Sequence, residues 1–516
     1  MNAPVDVLVV GAGPVGLTLA LQASALGASV RVVERRPQPF RPSRALIVHP
    51  RTLEVLRPLD VVDTVLHHAD PAPRASLHVA NTVVPASLEN LGLRDTPYPH
   101  LTLVRQTDIE TVLSAALAER GVPVNRGTEL VDFSAGRDGS PADAVLRSAG
   151  DTVRLHCRWV AGCDGADSTV RALADLDRRE TAYRHEILLG DVDLNGVSPS
   201  EPVHIHAGRY GLCFLFPLGE QAPWRLLITR PVSGPAGGAG RPGPAPGGAE
   251  LQALLDRSEV PVRITAVAWS TRLRLRHGVA RAYRRGPLFL AGDAAHVHSP
   301  AGGLGMNVGV QDAVNLGWKL AQARRSTRPD WLLDSYAAER RRAALRALRL
   351  TNLIFYAESG TDPVAAFTRG VLLPVAAPLL PVALRRRRLV AGAARLLGQL
   401  SLSYRGSPLS LAAPRRSSAC RPGDRLPDQV VEVDRRSVRL HELTARPGVH
   451  LLLDRDASAI VAGSEIVHVH RLSSARGRGV TVVRPDGHVG AQAERADDPA
   501  VSTWLAAIGA RITTET

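Results

Sequence analysis

The segment VDVLVVGAGPVG (residues 5–16) limits the fold more than any other part of the chain. Its apolar run is of the kind that buried parallel strands show. Gly11, Gly13 and Gly16 follow in G-x-G-x-x-G spacing, with Val15 among them. LTLALQASALG then reads as a helix ending at Gly27, and ASVRVVE (28–34) as a second strand closing on Glu34, with Arg35 next. In such a unit Gly11 permits the tight turn, Gly13 lets a pyrophosphate approach the backbone, and Gly16 lets helix and strand pack closely. The helix N-terminus offers free N–H groups to the phosphates, and Glu34 accepts the ribose hydroxyls. A glycine-rich turn alone needs no ligand. Strand, turn, helix, strand and acid in this spacing favour dinucleotide binding, without separating NAD(P) from FAD.

A chain of 516 residues has room for two to four domains. Its charge is +14, but Lys319 is the only lysine, so the basic side is almost all arginine. That bias looks like a GC-rich bacterial genome and weakens any inference of nucleic-acid binding from charge. No basic face interleaves with aromatic residues, so no nucleic-acid partner is expected. Cys157, Cys163, Cys213 and Cys420 form no C-x-x-C, zinc or disulfide pattern, and a reducing cytoplasm is the natural compartment. MNAPVDVLVVGAG has no basic n-region and does not read as a signal peptide. VLLPVAAPLLPVAL (371–384), followed by RRRR, is shorter than the ~20 residues of a spanning helix and is interrupted by prolines, so a buried or surface-lying helical hairpin is expected.

Two further segments carry more. WVAGCDGADSTVR (159–171) reads as a strand ending in Asp164-Gly165, with Ser168 and Arg171 downstream. RGPLFLAGDAAH (285–296) reads as a strand ending in Gly292-Asp293, and the loop AGGLGMN leads into a helix starting near Asn307. Together with the glycine motif, these resemble the class A FAD-dependent aromatic monooxygenases, the para-hydroxybenzoate hydroxylase-like family, and within it the aromatic polyketide hydroxylases. The resemblance runs from residue 5 to about 350 and more weakly to the C-terminus. It implies FAD contacts at Gly11, Gly13, Val15, Gly16, Glu34 and Arg35, at Arg44 in PSRAL, and at Arg105 and Gln106 in LVRQTDIE. Asp164 is implied in FAD and NADPH contacts, and Asp293 in a hydrogen bond to the ribityl chain. Pro300, Gly303, Leu304, Gly305, Met306 and Asn307 would lie beside the isoalloxazine. The implied activity is hydroxylation of an aromatic polyketide-type substrate with NADPH and O2 through a flavin C4a-hydroperoxide. The cofactor then carries the chemistry, which suits a loop built of small residues. Asp312 and Lys319, on the helix after the loop, are free to face water or bond neighbours.

The implied architecture is α/β: a Rossmann-like FAD-binding domain of GR2 type (1–179 and 280–350) and an inserted antiparallel-sheet substrate domain (180–279). A helical segment and linker (351–413) and a thioredoxin-like domain without C-x-x-C (414–516) complete it. The last suits structural support or homodimer contacts. HIHAGRYGLCFLFPL (204–218) and WRLLITR (224–230) alternate like antiparallel strands joined by a turn around Gly219, and 231–250 reads as a Gly/Pro/Ala loop. Phe214, Phe216 and Trp224 are the candidate walls for a flat aromatic substrate, with plain core packing the alternative for at least one.

His204/His206, His296/His298 and His468/His470 are i, i+2 pairs, but none has a third ligand nearby in sequence, so no metal site is expected. His296 and His298 suit orienting the loop or touching substrate. Cys163 reads as a small buried residue. No Tyr–Tyr proton relay or catalytic side chain can be picked out. The alternatives are Baeyer–Villiger insertion on the same scaffold, with Arg51 stabilising an anionic adduct, a plain NAD(P)-linked dehydrogenase, and a non-catalytic flavin-binding protein.

Overall fold

VDVLVV forms a strand, Val5–Val10, whose last five residues are buried, because sheet neighbours and helices leave no face to water. The computed structural model describes residues 4–39, 45–70, 73–136, 142–198, 200–208, 211–232, 244–360, 364, 367–412, 420–473, 475 and 477–513. Arg44 lies outside the described residues, as do parts of the 231–250 loop and of the 414–428 linker. Val5–Val10 runs parallel to Val30–Glu34 on one side and Asp151–Gly162 on the other. Leu288–Leu290 and Val124–Arg126 extend the parallel order outward. The three strands that end in the glycine turn, in Asp164-Gly165 and in Gly292-Asp293 are therefore consecutive neighbours. Loops leaving the same end of adjacent parallel strands must share one edge of the sheet.

The helices Pro14–Ala25 and Leu304–Ala323 pack side by side. Gly317 allows this: a Cβ there would stand 2.9 Å from Gln22 and 3.0 Å from the Leu19 carbonyl oxygen. Leu304–Ala323 starts three residues before the expected Asn307. Asp312 and Lys319 do not face water, for both are fully buried and ion-paired.

A second sheet has eight strands, in the order His296–Val297, Arg263–Val279, Thr181–Asn195, Trp224–Pro231, Gly211–Phe216, Val203–Gly208, Arg74–Val79 and Thr82–Ser87. The 180–279 segment supplies most of it. Its last two strands come from a hairpin in the N-terminal third, docked by a parallel pairing of Arg74–Val79 with Val203–Gly208. Such pairing joins residues far apart in sequence and leaves no local signature. The 31-residue helix Pro329–Ser359 runs from the first sheet to the second. Near the C-terminus a five-stranded mixed sheet, centred on Val449–Asp454 and Val480–Val483, packs the helix Pro499–Ala506 through buried Trp504.

The apolar stretch after residue 367 differs from expectation. Thr368–Arg385 is a run of consecutive short helical units, 18 residues in all, long and apolar enough by length and composition to cross a membrane, with only 11% of it buried. Its prolines do not break it because Pro374, Pro378 and Pro381 each sit at the first or second position of a short helical unit. There the missing N–H has no intrahelical partner to lose.

Candidate active site

Gly11 adopts φ +103°, and a Cβ on it would fall 2.4 Å from the Cys163 carbonyl oxygen. Only glycine fits there. A Cβ on Gly16 would lie 1.9 Å from the Gly11 carbonyl oxygen, whereas one on Gly13 would meet nothing within 4 Å. Two glycines close the turn and the third faces open space. The Glu34 carboxylate accepts the Ala12 N–H at 2.9 Å and the Arg36 N–H at 3.0 Å, so it is held beside the turn.

That open space belongs to a cavity of about 680 Å³. It falls within the range of about 300–1,000 Å³ common for ligand and cofactor sites. Gly11, Gly13, Val15, Glu34, Arg35, Gln106, Asp164, Asp293, Pro300, Gly303, Gly305 and Met306 all line it. So do Phe214 and Phe216, whose rings stack 5.9 Å apart at 6°. Ile187, Leu189, Leu227, Leu273, Leu275 and Phe355 complete an apolar wall from the second sheet and the long helix. One cavity thus runs from the glycine turn, past the 293–306 loop, to an aromatic chamber.

Several expected residues lie elsewhere. Trp224 is buried with Leu188, Leu215 and Leu226 in a core cluster on the other side of the sheet, so its indole packs core and does not face the cavity. Gly16 serves helix packing. Arg105 donates to the carbonyls of Leu218 (3.4 Å) and Gly219 (3.0 Å), which ties the hairpin connection to the 106–119 helix. Leu304 is fully buried against Val308 and Ala347. The Asn307 amide is spent on structure: Oδ1 accepts from the His49 N–H (2.9 Å) and the Thr52 hydroxyl (2.7 Å), and Nδ2 donates to the Ile47 and Gly303 carbonyls. Arg51 donates to Glu54 and to the Asp486 carbonyl and has no access to the cavity, so it cannot stabilise an adduct there.

Electrostatics favour an anion at the loop. Gly302 and Gly303 have φ of +72° and +64°, and Leu304–Ala323 starts directly after them. Gly305 and Met306 lie in the first turn, where backbone N–H groups have no intrahelical acceptor, and both line the cavity. Asp312 holds the loop from behind. Its Oδ2 accepts the Gly292 N–H at 3.1 Å and lies 2.7 Å from His296 Nε2, while Oδ1 accepts from Arg340 Nε at 2.6 Å. Burial alone would raise this carboxyl, but Arg340 and His296 outweigh it and keep it below the usual range. Arg171 and Arg178 bridge the other two segments. Each donates to the Ala166 carbonyl, Arg171 also to Ala294 (3.0 Å) and Arg178 also to Asp293. The Asp164 carboxylate accepts from the Ser168 hydroxyl and the Val170 N–H, which shapes its own turn.

His298, expected to orient the loop or touch substrate, lines the cavity, and so does Glu358, which the sequence did not single out. Burial lowers His298 to about 4, so it is neutral, and raises Glu358, at the end of the long helix, to about 7. Burial pushes the Cys163 thiol well up, so it is no nucleophile.

Residues 4–351 match the family model described as an FAD binding domain. The chain is 34% identical over 424 residues to the 6-methylpretetramide 4-monooxygenase of Streptomyces rimosus, covering 81% of this chain and 73% of that protein. The solved structure of OxyS, the anhydrotetracycline hydroxylase from Streptomyces rimosus, superposes with TM-score 0.76 at 25% identity, over 98% of this chain and 99% of that one. A ternary complex of aklavinone-11 hydroxylase with FAD and aklavinone gives TM-score 0.75 at 25% identity, with the same coverage. The open cradle at Gly13, the placed acid at Glu34 and the helix terminus at Leu304 fit the same cofactor, and the chain belongs to the FAD-binding-domain family of flavin-dependent aromatic monooxygenases.

Proposed function

We propose that this chain is an FAD-dependent, NADPH-consuming monooxygenase that hydroxylates a polycyclic, polyketide-type phenol. One observation carries the reading: a single cavity joins the glycine turn to an apolar chamber walled by Phe214, Phe216 and Phe355. The adenosine half of FAD would be held by Gly11, Gly13, Val15, Glu34 and Arg35, and the flavin half by Gln106, Asp164, Asp293, Pro300, Gly303, Gly305 and Met306. Arg44 belongs to the same assignment by motif. When bound and reduced by NADPH, FAD supplies the oxygen-activating chemistry. The chain's part is to place and polarise. N–H groups of the 305–306 turn stabilise negative charge beside the loop. The paired phenylalanine rings hold a flat substrate by stacking and exclude water. The Glu358 carboxylate takes the proton of the substrate phenol, which makes the ring more electron-rich. A base held near neutrality suits that transfer.

The finer architecture belongs to the same reading. The sheet centred on Val5–Val10, mixed with a parallel middle and drawn from 1–179 and 280–350, belongs to a GR2-type Rossmann-like domain, and 414–516 is a thioredoxin-like support without C-x-x-C that suits homodimer contacts. Four free cysteines agree with a reducing cytoplasm. The test is a panel of polycyclic phenols incubated with the purified protein, FAD and NADPH, read by mass spectrometry. A product heavier by one oxygen is expected, and NADPH oxidation that no substrate accelerates would speak against the assignment.

A further inference from the structure

On the strand Val203–Gly208, His204 and His206 project to one face, as alternate residues do. Sequence alone offers them no third partner. The docked hairpin supplies it, because His78 on Arg74–Val79 is the cross-strand neighbour of His206. One ring nitrogen from each of the three histidines lies within 4.8 Å of the others. His78 Nε2 and His204 Nδ1 are 3.1 Å apart. Two nitrogens on one tetrahedral zinc, at about 2.0–2.1 Å each, stand roughly 3.3 Å from one another. The His78 and His206 rings stack with centroids 4.0 Å apart.

We propose that His78, His204 and His206 form a binding site for a divalent zinc ion, with a fourth position open to water. The surroundings of His204 support imidazole ligation. The outer nitrogen of His204 lies 3.3 Å from Glu201 Oε2, a charge contact without a hydrogen bond, while Nδ1 is the nitrogen turned toward His78.

The site is separate from the flavin cavity. His204 and His206 pair with Leu215 and Cys213, which belong to the core cluster around Trp224. Ile205 pairs with Phe214, on the opposite face that lines the cavity. A bound ion would clamp the outlying hairpin to the sheet and take no part in oxygen transfer.

The experiment uses the full FAD-loaded protein, stripped with a chelator and then supplied with Zn²⁺. One zinc per chain should survive gel filtration, its X-ray absorption edge should report three imidazole nitrogens, and the melting temperature should rise. His78→Gln and His206→Gln should each weaken binding by at least about 100-fold, since losing even an outer partner of a ligand costs about 10–100-fold. Both should keep their flavin. His450→Gln, in the separate His450–His470 contact, should bind zinc as the parent does. No retained zinc, a spectrum without imidazole ligation, or binding that survives both substitutions would overturn the site and leave the three rings as a hydrogen-bonded stack. If either variant fails to fold, the parent's zinc content and edge spectrum still decide.

Discussion

Gly11 and Gly13 are two residues apart and serve opposite ends. Gly11→Ala forces a Cβ into the Cys163 carbonyl at a left-handed φ, a strain worth about 1–3 kcal/mol before the clash is counted. Chemical denaturation should show that loss even without cofactor. Gly13→Leu enters open space, so the apo protein should unfold at the parent's denaturant midpoint while FAD affinity drops at least tenfold by fluorescence titration. Equal effects of the two substitutions on apo stability would remove the argument that Gly13 borders a cofactor. Glu358 allows a second prediction. Its raised value of about 7 means that the folded state holds a proton the unfolded chain has lost. This contribution to stability is present below the usual carboxyl range and disappears as pH rises through about 7. Glu358→Gln should therefore be more stable than the parent at pH 8 and no more stable at pH 4. Substrate turnover in the parent should climb toward neutral pH, and the variant should lose that limb. The glycines and Glu34 were legible because their steric demands are local. Glu358 was not, because its surroundings are assembled by a helix end and a sheet distant in sequence.

The loop 292–307 is positioned by elements, not by its own residues. Asp312 and Arg340 sit on adjacent helices and are fully buried, and Arg340 also reaches the Tyr404 hydroxyl at 2.7 Å. Removing one partner strands a charge, so Asp312→Ala should cost about 3–5 kcal/mol. The double variant Asp312→Leu with Arg340→Met should recover part of it, and a double-mutant cycle on denaturant midpoints measures the difference. A loss below 1 kcal/mol for Asp312→Ala would show that the loop stands without this support. The sequence pattern located the loop and its helix but started the helix at Asn307. The two left-handed glycines let it begin at Leu304, and the Asn307 side chain is consumed in clamping the 47–52 segment. Proline spacing misled in the same way at Thr368–Arg385, where successive helical units absorb all three rings.

At the scale of the molecule, the C-terminal sheet is fastened to the cofactor-proximal helices by buried charge. Glu339 accepts from Lys319 at 2.7 Å and from both Arg484 nitrogens at 2.7 and 2.8 Å, while Asn315 reaches Asp486. Trp318 and Trp504 stack beside this network, 6.3 Å apart. Arg484→Met leaves Glu339 and Asp486 short of a partner and should cost about 3–5 kcal/mol. It should lower the stability of the whole chain in a single transition, visible as coincident loss of flavin binding and tryptophan signal. A C-terminal region that melts alone would contradict that coupling. Lys319, the chain's one lysine, carried no sign in the sequence that it was a buried anchor, because its network partners Glu339, Arg484 and Asp486 come from a second helix and from the C-terminal sheet. The central claim concerns the joint cavity, and the most direct measurement is turnover of a polycyclic phenol by the FAD-loaded protein with NADPH under isotopically heavy O2. The account predicts one heavy oxygen atom on a ring carbon of the product. NADPH oxidised to peroxide alone, with unlabelled substrate recovered across the panel, would contradict it.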